Sequence, residues 1–489
     1  MNDFASLPDM SATDLLPLYR RKDVSPVEVA KAVFDRIDTH KDRFRPFCHL
    51  DRVSALASAA ASEVRWGRAR PIGLVDGIPT TVKDLLLTRG WPTLRGSHTV
   101  DARQAWSVDA PAVARLREHG AVILGKTTTP EWGWKGVCDS PLEGVTRNPW
   151  NAALTPGGSS GGAAVAAALG MGCLHVGTDG GGSIRIPSAF SGVFGLKPTF
   201  GRVPAFPSSP FGSVAHVGPM TRSVADAARM LTVMAEPDPR DWHSLPHDER
   251  DFSVGLDAGV FGLRIALSLT LGYAEVDPQV RALVRKAADL LADMGAIVEE
   301  CDPGFPDPTP IFEAHWFSGA ANLRQSIPRE KWPVMDPGLT RFADAGEAYG
   351  HMAYLEAVNQ RAALGSHMAR FHQRFDVLLT PTLPITAFEV NRIAPPGFAD
   401  PGDWVPWTPF SHPFNLTQQP AASVPCGLTK EGLPVGLQVV AAKYRDDLVL
   451  RVARACESAA PFAKPPLLHR DTSPASRNPD SAFANAKGR

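Results

Sequence analysis

An apolar helical stretch that runs straight into a short apolar strand recurs along this chain, and few architectures accept that order. Residues 105–119 read as a helix ending at Gly120, followed by the apolar Ala121-Val-Ile-Leu124. Residues 280–294 followed by 296–300 repeat the unit, and residues 435–441 followed by 446–458 give it in reverse. Strands apolar on both faces and spaced by helices belong in a buried sheet, so the expected fold class is α/β. Two helices are expected within about 10–45. Ser11-Ala-Thr-Asp14 and Ser25-Pro-Val-Glu28 are both helix starts, the second with Pro26 at the first helical position and Glu28 as reciprocal cap.

Composition narrows the function classes. The 489 residues are enough for a large core, and 50 basic against 51 acidic residues leave a net charge of −1. No basic block stands out, which excludes nucleic acid as the main partner. Six cysteines at 48, 138, 173, 301, 426 and 456 form no C-x-x-C pair, so no disulfide framework is expected and a reduced, cytoplasmic setting is. The polar MNDFASLPDM start lacks the apolar stretch of a signal peptide, and no apolar run of about 18 residues reads as a membrane span.

Several motif matches fail on physical grounds. Gly120-Ala-Val-Ile-Leu-Gly125-Lys126-Thr127 fits a P-loop letter for letter, but its four variable residues form an apolar strand rather than a phosphate-binding turn. Gly157-Gly-Ser159-Ser-Gly161 fits a nucleophile elbow, but no buried strand precedes it. The 14 histidines include no H-E-x-x-H, and His243 and His247 sit in a Pro-interrupted polar stretch, so no metal site is expected.

Three segments carry chemistry together. Gly77-Ile-Pro-Thr-Thr-Val-Lys83-Asp84 sets a lysine among apolar residues, which alone reads as a snorkelling surface lysine. Pro156-Gly-Gly-Ser159-Ser160-Gly-Gly162 leads into an Ala-rich helix, which alone reads as a helix cap. Gly177-Thr-Asp179-Gly-Gly-Gly-Ser183-Ile-Arg185-Ile-Pro187 lets successive backbone N–H groups converge on one point, and alone reads as a tight turn.

Taken together, GGSSGG, GTDGGGSIRIP and GLKPTFGRV resemble the amidase signature family, closest in character to its aryl acylamidase and carbamate-cleaving members. The resemblance is close from about 73 to 203 and looser at Pro413-Phe-Asn-Leu-Thr-Gln-Gln-Pro-Ala421 and Gly432-Leu-Pro-Val-Gly-Leu-Gln438. It implies one domain over about 1–470, a large mixed twisted β-sheet sandwiched by α-helices. Within it lie a signature core at about 70–235 and pocket-forming loops at about 302–412. Residues 471–489 are expected to be a disordered tail. It implies Ser183 as the acylated nucleophile, Ser159 as the bridging serine and Lys83 as the base. The N–H groups of Gly180, Gly181, Gly182 and Ser183 match the oxyanion hole, and Ser160, Thr178, Asp179 and Arg185 match residues that hold the site together. It implies no cofactor.

The chemistry also stands on its own. A serine hydroxyl needs a base near operating pH, and burial must lower a lysine from about 10.4 by two or three units to make it one. Trp132, Trp134, Phe211, Trp316, Trp404 and Trp407 fall in irregular segments near the motifs and suggest an aromatic pocket. A neutral hydrophobic amide, an anilide or other aryl acylamide, is therefore the expected substrate, with a carbamate as the alternative. The glutaminase subunit of the tRNA-dependent amidotransferase shares the signature. That subunit usually has Gln where this chain has Ile186, and the Trp-rich segments suit it poorly. Homodimers occur among such enzymes, but no interface is legible.

Overall fold

The computed structural model describes residues 4–470; the expected tail at 471–489 lies outside them. Both N-terminal starts form reciprocal capping boxes. The Asp14 N–H donates to Ser11 Oγ (3.0 Å) and the Ser11 N–H to Asp14 Oδ2 (3.2 Å). Ser25 and Glu28 do the same at 2.8 and 3.2 Å, opening the helices Ala12–Arg21 and Pro26–Phe44.

Thirteen strands follow in chain order among the described residues. The first seven are β1 (Phe47–Leu50), β2 (Pro79–Lys83), β3 (Val122–Thr127), β4 (Asp139–Ser140), β5 (Gly144–Val145), β6 (Leu174–Asp179) and β7 (Phe194–Lys197). The rest are β8 (His216–Thr221), β9 (Arg264–Leu267), β10 (Ile297–Glu300), β11 (Val377–Pro381), β12 (Ala421–Leu428) and β13 (Pro434–Ala441). β4 and β5 pair only with each other. The other eleven form one sheet in the order β1-β3-β2-β6-β8-β7-β12-β13-β11-β9-β10. The sheet is mixed: β2 runs parallel to β3 and β6, whereas β6 and β8 are antiparallel.

Side chains alternate between two faces along each strand, and here both faces are covered. Val377 and Leu379 of β11 join one core with Val284 and Leu291 of the helix Pro278–Asp293. Leu378 between them joins a second core with Phe312, Trp316 and Phe342. A strand buried on both sides must be apolar throughout, which is why Val377-Leu-Leu379 shows no alternation of polarity. Each such fully buried aliphatic side chain contributes about 1.5–3 kcal/mol.

Two expectations are corrected. The helix expected at 105–119 spans only Pro111–Glu118. Pro111 forces Ala110 into an extended conformation (φ −63°, ψ 152°), so the helix cannot extend upstream. Residues 302–412, expected as pocket-forming loops, contain the helices Thr309–Gln325, Pro337–Glu347 and His351–Arg374 and the strand β11. Prolines in a first turn start helices rather than break them, and Pro310 stands at that position, just after the N-cap residue Pro308. Among the described residues, no helix is long and apolar enough to cross a membrane.

Candidate active site

Parallel neighbours end at the same edge of a sheet, and that fact assembles the site. β2 delivers Lys83 at its carboxyl end, while β6 beside it delivers Thr178 and Asp179 at its own. The loop before the helix Gly161–Ala168 brings Ser159 and Ser160 to the same place, with a cis peptide bond between Gly158 and Ser159. Lys83 is fully buried, and its Nζ lies 2.6 Å from Ser159 Oγ, 2.8 Å from Ser160 Oγ and 2.9 Å from Thr178 Oγ1. Burial pushes this amine down to about 7, a shift that Cys138 and Asp179 only partly oppose.

The hydroxyls around Lys83 are not equivalent. Ser160 Oγ donates to the Thr178 carbonyl (3.1 Å) and accepts the Thr178 N–H (3.2 Å), so its proton is committed to the backbone. A neutral amine has two N–H bonds and one lone pair. Ser160 can only accept from it, which leaves the lone pair for Ser159, the shortest of the three contacts, or Thr178. The Ser160 N–H also donates to the Ser183 carbonyl (3.1 Å), tying the two serine loops together.

Asp179 and Arg185 form the lock beneath the glycine loop, and both are fully buried. Arg185 donates to both Asp179 oxygens, from Nε at 3.0 Å and from an Nη at 2.9 Å. Burial alone would raise the Asp179 carboxyl, but Arg185, with Lys197 and Asn415, holds it well below the ordinary carboxylate range. The remaining guanidinium N–H groups reach the Ser411 carbonyl, Gln438 Oε1 and Asn415 Oδ1 at 2.6–2.8 Å. Asn415 also donates to the Asp179 carbonyl (3.0 Å) and to Asp179 Oδ1 (2.9 Å). Sequence reasoning missed Asn415, Ser411 and Gln438. The signal was the looser resemblance of the stretches that hold Asn415 and Gln438, which named no role for either. Replacing Arg185 by Met leaves a buried carboxylate unpaired, so stability should fall by about 3–5 kcal/mol. A urea midpoint unchanged from wild type would contradict this.

The glycine loop departs from expectation at one atom. The Gly182 N–H, expected in the oxyanion hole, donates to Asp179 Oδ1 at 2.8 Å. The N–H groups of Gly180, Gly181 and Ser183 make no hydrogen bond among the described residues. Gly182 has φ +132°, which side-chain-bearing residues rarely adopt, and a Cβ on Gly181 would lie 2.6 Å from both Phe312 and Trp404.

Ser159, Ser183, Thr178 and Gly180 open onto a cavity of about 200 Å³. Three of the six expected pocket aromatics, Trp132, Phe211 and Trp316, line it. Phe211 and Trp316 stack with ring centres 3.9 Å apart. Trp134, Trp404 and Trp407 do not line it; they are fully buried in the second core. Trp404 packs behind Gly181, the Trp134 carbonyl accepts the Trp316 indole N–H (3.1 Å), and Trp407 stacks on Phe190. They support the wall rather than form it. Leu85, Phe200, Val203 and Phe206 complete an apolar lining that sequence reasoning did not name. Among the described residues no cluster of His, Cys, Asp or Glu could hold a metal ion.

This fold matches that of enzymes that act on amide C–N bonds. The sequence model of the Amidase family matches residues 28–450. An acylamidase of Rhodococcus erythropolis is 35% identical over 463 residues, covering 93% of this chain and 96% of its own. A glutamyl-tRNA(Gln) amidotransferase subunit of Myxococcus xanthus (strain DK1622) is 33% identical over 479 residues, covering 92% and 97%. The crystal structure of a bacterial aryl acylamidase of the amidase signature enzymes superposes with a TM-score of 0.86 at 32% identity, covering 92% of this chain and 96% of that one. The chain belongs to the amidase signature family and is a hydrolase of amide C–N bonds.

Proposed function

We propose that this chain hydrolyses a hydrophobic amide of the aryl acylamide type, with Ser183 as nucleophile, Ser159 as proton bridge and Lys83 as base. The observation that carries the reading is the fully buried Lys83 amine, 2.6 Å from Ser159 Oγ and without a carboxylate partner among the described residues, behind an apolar cavity that Ser159 and Ser183 both line. Neutral Lys83 takes the Ser159 proton as Ser159 takes that of Ser183, and Ser183 Oγ attacks the amide carbon. The oxyanion meets the uncommitted N–H groups of Gly180, Gly181 and Ser183, each worth about 2.7–4 kcal/mol in the transition state. The protonated relay then returns a proton to the leaving amine. Water, deprotonated by the same relay, releases the acyl group.

The cavity supports a small aryl substrate. An apolar cavity of about 150 Å³ takes up benzene, so about 200 Å³ suits one ring with a short acyl chain. A carbamate would use the same chemistry. Similarity to an amidotransferase subunit favours, as a second reading, ammonia release from glutamine. A panel of acyl anilide, primary aliphatic amide, aryl carbamate, aryl ester and glutamine separates these. The anilide should have the highest kcat/KM among the amides. Turnover of glutamine alone would overturn the reading in favour of the amidotransferase one.

A further inference from the structure

One charged side chain in the cavity wall has no counter-ion among the described residues, and the proposed relay does not use it. Arg95 is the only Arg or Lys among the residues that line the cavity. Its guanidinium lies over the Trp132 ring at 4.5 Å from the centroid. Among the described residues it makes no side-chain hydrogen bond and no ion pair. Asp84, the nearby carboxylate, is already engaged: Oδ1 pairs with the buried Lys126 ammonium at 2.7 Å, and Oδ2 accepts the Arg95 backbone N–H at 2.8 Å. Two cations thus share one carboxylate, which leaves a positive charge facing the cavity. Asp241, also in the lining, forms no ion pair with it; its oxygens accept the N–H groups of Ala205 (2.8 Å) and His243 (2.9 Å).

The Arg95–Trp132 pair is also built in a particular way. Both residues hold left-handed backbones (φ 58° and 53°), which non-glycine residues rarely adopt. The Trp132 N–H donates to the Arg95 carbonyl at 2.8 Å, which fixes the two together. Local strain of this kind persists only where surrounding structure imposes it, and it concentrates at ligand sites. Burial pushes the guanidinium below its ordinary value, so an incoming anion would relieve an existing penalty.

We propose that Arg95 binds an anionic substituent, a carboxylate, carried on the aryl part of the substrate and read by the guanidinium that lies over the Trp132 ring. The planar fork matches a carboxylate in two parallel hydrogen bonds. This rests on the reading of the cavity as the site of an aryl amide, and narrows it from a wholly neutral substrate to one with an apolar body and a single negative group.

The test measures binding without turnover. In Ser183→Ala, the affinities of 3- and 4-acetamidobenzoate and of their methyl esters are measured by calorimetry. At least one acid should bind about tenfold or more tighter than its ester. That preference should vanish in Ser183→Ala/Arg95→Met, whose side chain keeps the apolar stem over Trp132. It should persist in part in Ser183→Ala/Arg95→Lys, which keeps the charge but not the fork. Acids that bind no better than their esters would overturn the proposal. So would a preference that survives Arg95→Met in a protein with a wild-type circular dichroism spectrum. If wild type cleaves neither these acids nor neutral anilides while the acid preference holds, the aryl-amide reading fails and the Arg95 site stands.

Discussion

Replacing Ser183 by alanine is expected to lower kcat on the best amide by about 10⁴-fold or more, with KM little changed. Removing a nucleophile leaves only the oxyanion donors and substrate positioning, and the loss in comparable serine hydrolases is of this order. The fold should tolerate the change, because Ser183 is joined to the Ser159 loop through its carbonyl, which accepts the Ser160 N–H, and alanine keeps that carbonyl. Ser159→Ala should be less severe, about 10²–10⁴-fold, the usual worth of a proton-transfer group. Steady-state kinetics on one anilide checks both. A reversed order, with Ser159→Ala dead and Ser183→Ala within tenfold of wild type, would exchange the two roles.

The second large effect concerns Lys83. Its amine sits at about 7 because burial disfavours the ammonium. The proposed relay needs the neutral form, so the direction of the pH dependence is fixed. Activity is lost as pH falls through about 7 and Lys83 takes up a proton, and it reaches a plateau above that point. The log of kcat/KM should therefore rise with unit slope below about 7. Lys83→Met should cost about 10²–10⁴-fold and abolish the inflection, leaving a rate that is flat in this range or governed by another group. A bell or a slope that persists unchanged in Lys83→Met would assign the titration elsewhere. The profile separates a base from a merely structural lysine, which would lower the rate without moving the inflection.

What the sequence makes legible follows from the range of the forces involved. Helix caps at Ser11 and Ser25 and the apolar run of β11 are set by neighbours a few residues away, and they can be read locally. The three segments can be read as a set because two carry an unusual density of glycine beside a serine and the other sets a lysine among apolar residues. Apart from Asp179, the partners of Arg185 lie 226–253 positions away. Nothing in a single sequence says which distant amide will fill the third and fourth corners of a guanidinium, so Asn415 and Gln438 stayed silent. The aromatic residues show a different limit. Trp316 and Trp404 occur in equally irregular-looking stretches, yet one is wall and the other buttress. The difference is that the helix Thr309–Gln325 carries Trp316 to the cavity, whereas Trp404 is packed behind Gly181. The Gly182 N–H is likewise out of reach of sequence, because its claim by Asp179 depends on how the loop closes.

The central claim is that Ser183, driven by Lys83, becomes covalently acylated. A fluorophosphonate reacts only with an activated serine and leaves a stable adduct on it. Protein treated with such a reagent, digested and mapped by tandem mass spectrometry, should carry the adduct on Ser183 and not on Ser159. Labelling should be lost in Lys83→Met. An adduct on Ser159, or equal labelling of Ser183 without Lys83, would contradict the account.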